Sequence, residues 1–142
     1  MIDVKFISSI AIITRDPRQS RALYVDALKL PLQPPDPSDD YVFTDKVDGA
    51  KHFGVWPLTQ VAQACFGDSE WPKGRPVPQL SVEFDVATET DVGPAADELA
   101  NKGYELLHAA RTEPWGQVVA RFQTPEGVIL GISYMPPMHE AG

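Results

Sequence analysis

The sequence predicts an α+β domain in which one unit, strand–helix–strand–strand–strand, is written twice. Three observations carry this. Two strand-like runs, residues 7–14 and 79–86, are each followed by a capped helical segment. The remainder of each half breaks into short β-prone stretches separated by turn residues. A run rich in Gly, Pro and charge but without periodicity, residues 67–78, separates the halves. The repeat is roughly seventy residues long, well beyond the short periods of solenoid repeats. All of 1–142 is read as one domain, with module one at about 5–66, a linker at about 67–78 and module two at about 79–135.

Each element has a local cause. Residues 7–14 (ISSIAIIT) are β-branched and apolar, hence a strand. Asp16 is placed to cap a helix that Pro17 opens, with Gln19 at the capping-box position. Ala22, Leu23, Ala27 and Leu28 supply its buried stripe. Residues 30–37 hold four prolines and read as a short strand running into a loop. Residues 41–45 and 50–56 are two more strands. Leu58, Val61, Ala62, Cys65 and Phe66 recur at helical spacing, and Gly67 stops that helix. In the second half, residues 79–86 alternate strictly. Thr88 or Thr90 caps a helix through Leu99, and Gly103 ends it. Residues 104–109 form a strand, 113–116 a loop, and 117–123 with 128–134 a hairpin. Its turn, Thr124-Pro125-Glu126-Gly127, suits type I. From Pro136 the tail reads as frayed, with His139 solvated.

Composition excludes several functions. The net charge of −8, without any Lys/Arg cluster, argues against nucleic acid and against anionic membrane surfaces. No stretch reaches the length of a membrane span. A single cysteine, Cys65, rules out an internal disulfide and multi-cysteine zinc sites, and it sits on an apolar helical stripe as core. The first residues lack a basic region followed by an apolar run, so a cytoplasmic location is expected. Neither a Gly-x-Ser-x-Gly elbow nor a Gly-rich phosphate loop occurs.

The duplicated unit, the stretch from Ile10 to Leu32, the loop Glu113-Pro114-Trp115-Gly116 and the turn Thr124-Pro125-Glu126-Gly127 together resemble the vicinal-oxygen-chelate superfamily. That superfamily holds glyoxalase I, extradiol dioxygenases and bleomycin-resistance proteins. A ferredoxin-like domain, the rival reading, has fewer strands. The resemblance implies a mixed sheet curled into an open cup with helices outside, and a homodimer. Strand parity then assigns the faces. Leu80, Val82, Phe84 and Val86 should pack under helices, while Gln79, Ser81, Glu83 and Asp85 look into the cup. By the same rule His52 and Trp56, and Gln117 and Arg121 with Ser133, face inward, and Trp115 closes the rim.

Enzymes of this superfamily hold a divalent metal with His or Glu at four strand positions. By resemblance these fall on Ser9, Gly54, Gln79 and Gly131. Ser9 precedes Asp16 by seven residues and Gly131 follows Gly127 by four. Two glycines, a serine and a glutamine are poor ligands, so no metal is expected. A substitute set of His52, Glu83 and Glu113 is the alternative. His52 and His108 also have the plainer reading of structural histidines.

Two functional readings follow. The first is a metal-free protein that binds a small molecule: Trp56 and Trp115 stack on it, and His52, Gln79, Ser81, Glu83, Gln117 and Arg121 orient it. An acidic protein also suits a cationic ligand through steering. The second is a lyase, isomerase or dioxygenase with a displaced divalent metal. In a metal-free variant of that enzyme, Glu83 is the candidate catalytic base, its pKa lifted by the cup and held down by Arg121. A cup that is structural only, with function in partner contacts, is a third possibility.

Overall fold

A computed structural model describes residues 1–139. Seven strands form one mixed sheet: β1 (Val4–Thr14), β2 (Val42–Thr44), β3 (Phe53–Pro57), β4 (Leu80–Val86), β5 (Leu106–Thr112), β6 (Val118–Gln123) and β7 (Ile129–Tyr134). Their order is β2-β3-β1-β4-β7-β6-β5. The duplication is visible in the pairing. β1 runs parallel to β3, which pairs antiparallel with β2, just as β4 runs parallel to β7, which pairs antiparallel with β6. The halves join within the chain where β1 pairs antiparallel with β4.

The second of the four strands expected in the first module does not form. Residues 30–37 contribute a single bridge, Gln33 to Phe43, beside β2. Proline lacks the N–H that a ladder needs, and Pro31, Pro34, Pro35 and Pro37 leave no run long enough.

The helices are α1 (Pro17–Arg21), α2 (Leu58–Phe66) and α3 (Val92–Asn101). Asp16 caps α1 as expected, accepting from the Gln19 N–H at 3.2 Å. The helix then widens into a π-turn over Ala22–Ala27. That widening corrects the expected stripe: Ala22, Leu23, Ala27 and Leu28 are exposed, and Tyr24 and Val25 pack instead on Leu32, Val42 and Val55. Thr88 caps the second helical segment through a capping box with Asp91, and a 3-10 turn over Glu89–Asp91 leads into α3. Gly67 ends α2 at φ 75°, the left-handed conformation that favours glycine.

Parity holds along β4, β6 and β7, whereas register shifts interrupt it in β1 and β5. Val86, Ala120, Phe122 and Ile132 bury with Val92, Ala95 and Ala96 of α3 on one face. The opposite face departs from expectation at one end. Ile13, Trp56 and Ile129 share the inward parity but are apolar, and α2 covers them through Val61 and Cys65. Thus α2 lies on the inward side. Cys65 is core, its thiol pushed up to about 11 chiefly by burial.

The tail is also corrected. A 3-10 turn over Pro136–His139 folds back on the sheet. His139 stacks on Tyr134 at 4.1 Å and its Nε2 lies 2.8 Å from Asp85 Oδ2. Asp85 is fully buried, and the Met135 N–H also donates to it.

Candidate functional site

Beside α2, the inward face of the sheet bounds a cavity of about 440 Å³. Seven residues expected on sequence grounds line it: His52, Trp56, Ser81, Glu83, Trp115, Gln117 and Arg121. Gln79 does not. It precedes the first residue of β4, its side chain is exposed, and its carbonyl accepts from the Ile13 N–H. Asp85, of the same parity, is sealed beneath the tail rather than open to the cavity.

Gln117 organises the floor. Its amide nitrogen donates to Glu83 Oε1 and Ser133 Oγ, both at 2.9 Å, and its amide oxygen accepts from the Trp115 indole at 2.8 Å. One residue thereby links the Glu83 carboxyl to the rim tryptophan, which is otherwise half-exposed. Desolvation lifts the pKa of Glu83 above the ordinary carboxylate range, against the opposing pull of Arg121 and the Gln117 hydrogen bond.

Arg121 was expected beside Glu83 but pairs with Glu113. Its Nη1 donates to Glu113 Oε2 at 3.2 Å and to His108 Nε2 at 3.1 Å. His108 Nδ1 lies 2.8 Å from the Ala109 carbonyl, so that nitrogen carries the proton and Nε2 accepts. Burial lowers the His108 pKa, which favours this neutral form. Glu113 is desolvated too, but hydrogen bonds and charge from Arg111 and Arg121 outweigh this and hold its pKa low. The guanidinium also lies over the Trp56 ring, 5.6 Å from its centroid.

The opposite wall was not foreseen. Tyr41, Phe43 and Asp45 line the cavity together with Asp39, Gln60 and the tail residues Met135, Pro137 and Met138. Phe43 stacks against both Tyr41 (5.7 Å) and His52 (5.0 Å), whose rings are themselves 6.4 Å apart. The Tyr41 hydroxyl is 2.6 Å from His52 Nε2, and His52 Nδ1 is 2.6 Å from Asp45 Oδ1. Tyr41, Phe43 and Asp45 alternate through β2 and its two flanking residues, but a strand of three residues offers too little pattern to assign a face.

The four positions implied for a metal do not suit one. Ser9 and Gly131 both pair with Glu83, in neighbouring strands. The Glu83 side chain fills the space over Gly131: a Cβ there would meet its Cγ at 3.0 Å. Over Gly54 lies the Tyr41 ring, whose Cε1 would be 2.8 Å from a Cβ. Gln79 faces away. Nor do His52, Glu83 and Glu113 converge, because Glu113 is spent on the two arginines. Among the described residues no group of three His, Cys, Asp or Glu side chains is placed to hold a metal ion.

The Glyoxalase/Bleomycin resistance protein/Dioxygenase superfamily profile matches residues 6–132, and the chain belongs to that superfamily. Solved structures show the same fold at low identity. A hypothetical protein from Bacillus halodurans C-125 is 15% identical, with a TM-score of 0.59, covering 96% of this chain and 97% of that one. A superfamily member from Vibrio splendidus 12B01 is 15% identical, with a TM-score of 0.55 and coverage of 92% and 98%. A Streptomyces coelicolor methylmalonyl-CoA epimerase variant is 13% identical, with a TM-score of 0.59 and coverage of 98% and 100%. No curated protein matches. No helix among the described residues is long and apolar enough to cross a membrane.

Proposed function

We propose that this protein binds a small planar molecule in its sheet cavity without a bound metal, as a homodimer of the bleomycin-resistance kind. The observation that supports this best is the cavity wall itself. Aromatic faces (Trp56, Trp115, Tyr41, Phe43) stand around a few buried polar groups already fixed in place by one another. Side chains held this way lose little freedom when a ligand arrives, which favours affinity. The residues over Gly54 and Gly131 fill the ground a metal would need.

The test is metal retention. Protein purified without a His tag is incubated with Ni²⁺, Zn²⁺, Mn²⁺ and Fe²⁺, desalted and analysed by mass spectrometry. The expected result is no stoichiometric metal, together with tryptophan fluorescence that responds to planar aromatics and loses the response in Trp56→Ala. Near-stoichiometric metal, lost in His52→Ala, would instead make the protein a metal-dependent lyase or dioxygenase.

A further inference from the structure

The chain Asp45–His52–Tyr41 has a fixed polarity. Asp45 is a carboxylate and only accepts, so the proton on the neutral His52 ring sits on Nδ1, pointing at Asp45. Nε2 is then bare and accepts the Tyr41 hydroxyl hydrogen at 2.6 Å. Tyr41 has one proton and it is committed to His52. What its oxygen offers the cavity is therefore a lone pair, and a ligand there has to be the donor. The ordering of groups is that of an activated hydroxyl: a hydroxyl, a base within reach, and a third group orienting the base.

Packing holds this geometry from both sides. Phe43 packs against both Tyr41 and His52, and the hydroxyl end of the Tyr41 ring lies over Gly54, where any larger residue would push it away. The superfamily's metal position and the tyrosine compete for one space, and here the tyrosine occupies it.

We propose that Tyr41, His52 and Asp45 form a proton relay that replaces the metal, and that it takes the proton of a weakly acidic hydroxyl, a phenol or an enol, on a small planar ligand. The step balances without any co-reactant. The ligand O–H bond breaks and its proton passes to the Tyr41 oxygen. The proton that Tyr41 carried moves to His52 Nε2. The imidazolium so formed keeps its Nδ1–H on Asp45, and the negative charge remains on the ligand oxygen. Asp39 and Asp45 line the same cavity, and Arg121 supplies cationic charge to it for the ligand anion. Burial and these carboxylates hold the tyrosine pKa well above its usual value, so the two proton movements are concerted and no standing phenolate of Tyr41 forms.

The assignment rests on the cavity being a binding site for planar molecules, and the experiment separates the two ideas. The probes are 4-nitrophenol, whose absorbance reports its ionisation, and nitrobenzene, which has no hydroxyl. Binding is read from tryptophan quenching. At a pH below the free probe's own pKa, 4-nitrophenol bound to the wild-type protein is expected to show a phenolate-to-phenol ratio roughly tenfold above that on Tyr41→Phe or His52→Gln, one pKa unit of relay. His52→Gln keeps an acceptor for Tyr41 and a donor for Asp45 yet takes up no proton, so it carries the test if Tyr41→Phe folds poorly. Equal ratios on wild-type and variants would overturn the relay. Binding of nitrobenzene without 4-nitrophenol would also overturn it, leaving the cavity as a binding site. Binding of neither would remove both the relay and the cavity's assignment to planar aromatics.

Discussion

Two carboxyls in one small region, Glu113 buried and Glu83 half-buried, carry opposite electrostatic burdens. Glu113 is 6% exposed and its partner Arg121 1%, so neither charge has water to fall back on. Glu113→Gln leaves the guanidinium with a neutral partner and should cost about 3 kcal/mol of stability, measurable by urea unfolding. The companion bond from Arg111, which is 42% exposed, is worth little by comparison. Glu83 behaves in the reverse sense. Its pKa is raised, so the fold favours the neutral acid. The stability it contributes is full below the ordinary carboxylate range and is lost as pH rises through its folded pKa; above that, a desolvated charge is carried. Glu83→Gln never ionises and keeps an acceptor for Gln117. Its Tm should therefore gain on wild-type as pH rises from about 4 to about 8. A difference that stays flat with pH would show that folding leaves the Glu83 pKa unshifted.

Single elements were legible where their signals were local. Asp16-Pro17 opened a helix, Gly67 closed one, and strict alternation in β4 sorted Ser81 and Glu83 from Val82 and Phe84. The failures share a cause. A π-turn in Ala22–Ala27 rotated a face that regular spacing had assigned, and apolar residues at one end of the inward face drew α2 across it. Both are tertiary effects that no window of sequence contains. The site was readable in the same proportion. Residues on long strands were placed, whereas Tyr41 and the folded-back tail depended on contacts between distant segments. Gly54 shows why such a residue is hard to interpret alone. Its lack of a side chain looked like a missing metal ligand, and in the structure it is room for Tyr41. Gly54→Ala should displace that ring, break the Tyr41–His52 bond and cost about 1–3 kcal/mol. In a Tyr41→Ala background the same substitution should be nearly neutral; an unchanged cost in that double-mutant cycle would place the strain elsewhere.

At the scale of the molecule, each of two modules similar in plan buries an apolar cluster of its own, but a third cluster and the central sheet seam are shared between them. β1 and β4 form the central seam, with register pairs running from Val4–Val86 to Ile12–Leu80. One apolar cluster joins Ile13 and α2 of the first half to Ile129 of the second, with Trp71 of the linker packed against it. The linker is tied down as well: Arg75 makes a two-pronged pair with Glu105, and the Trp71 indole donates to the Arg75 and Pro76 carbonyls. A sequence that looks like two repeats joined by a loose connection is thus expected to unfold as one unit. Calorimetry should show a single transition whose calorimetric and van't Hoff enthalpies agree. Fragments cut within 67–78 should each be unfolded alone, because each would expose its half of the β1–β4 seam and of the shared cluster. Two resolved transitions, or a folded isolated module, would mean that the seam is a docking surface between independent halves. The cavity would then be open to relative movement of its walls, since Tyr41 and His52 come from one module and Glu83, Gln117 and Arg121 from the other.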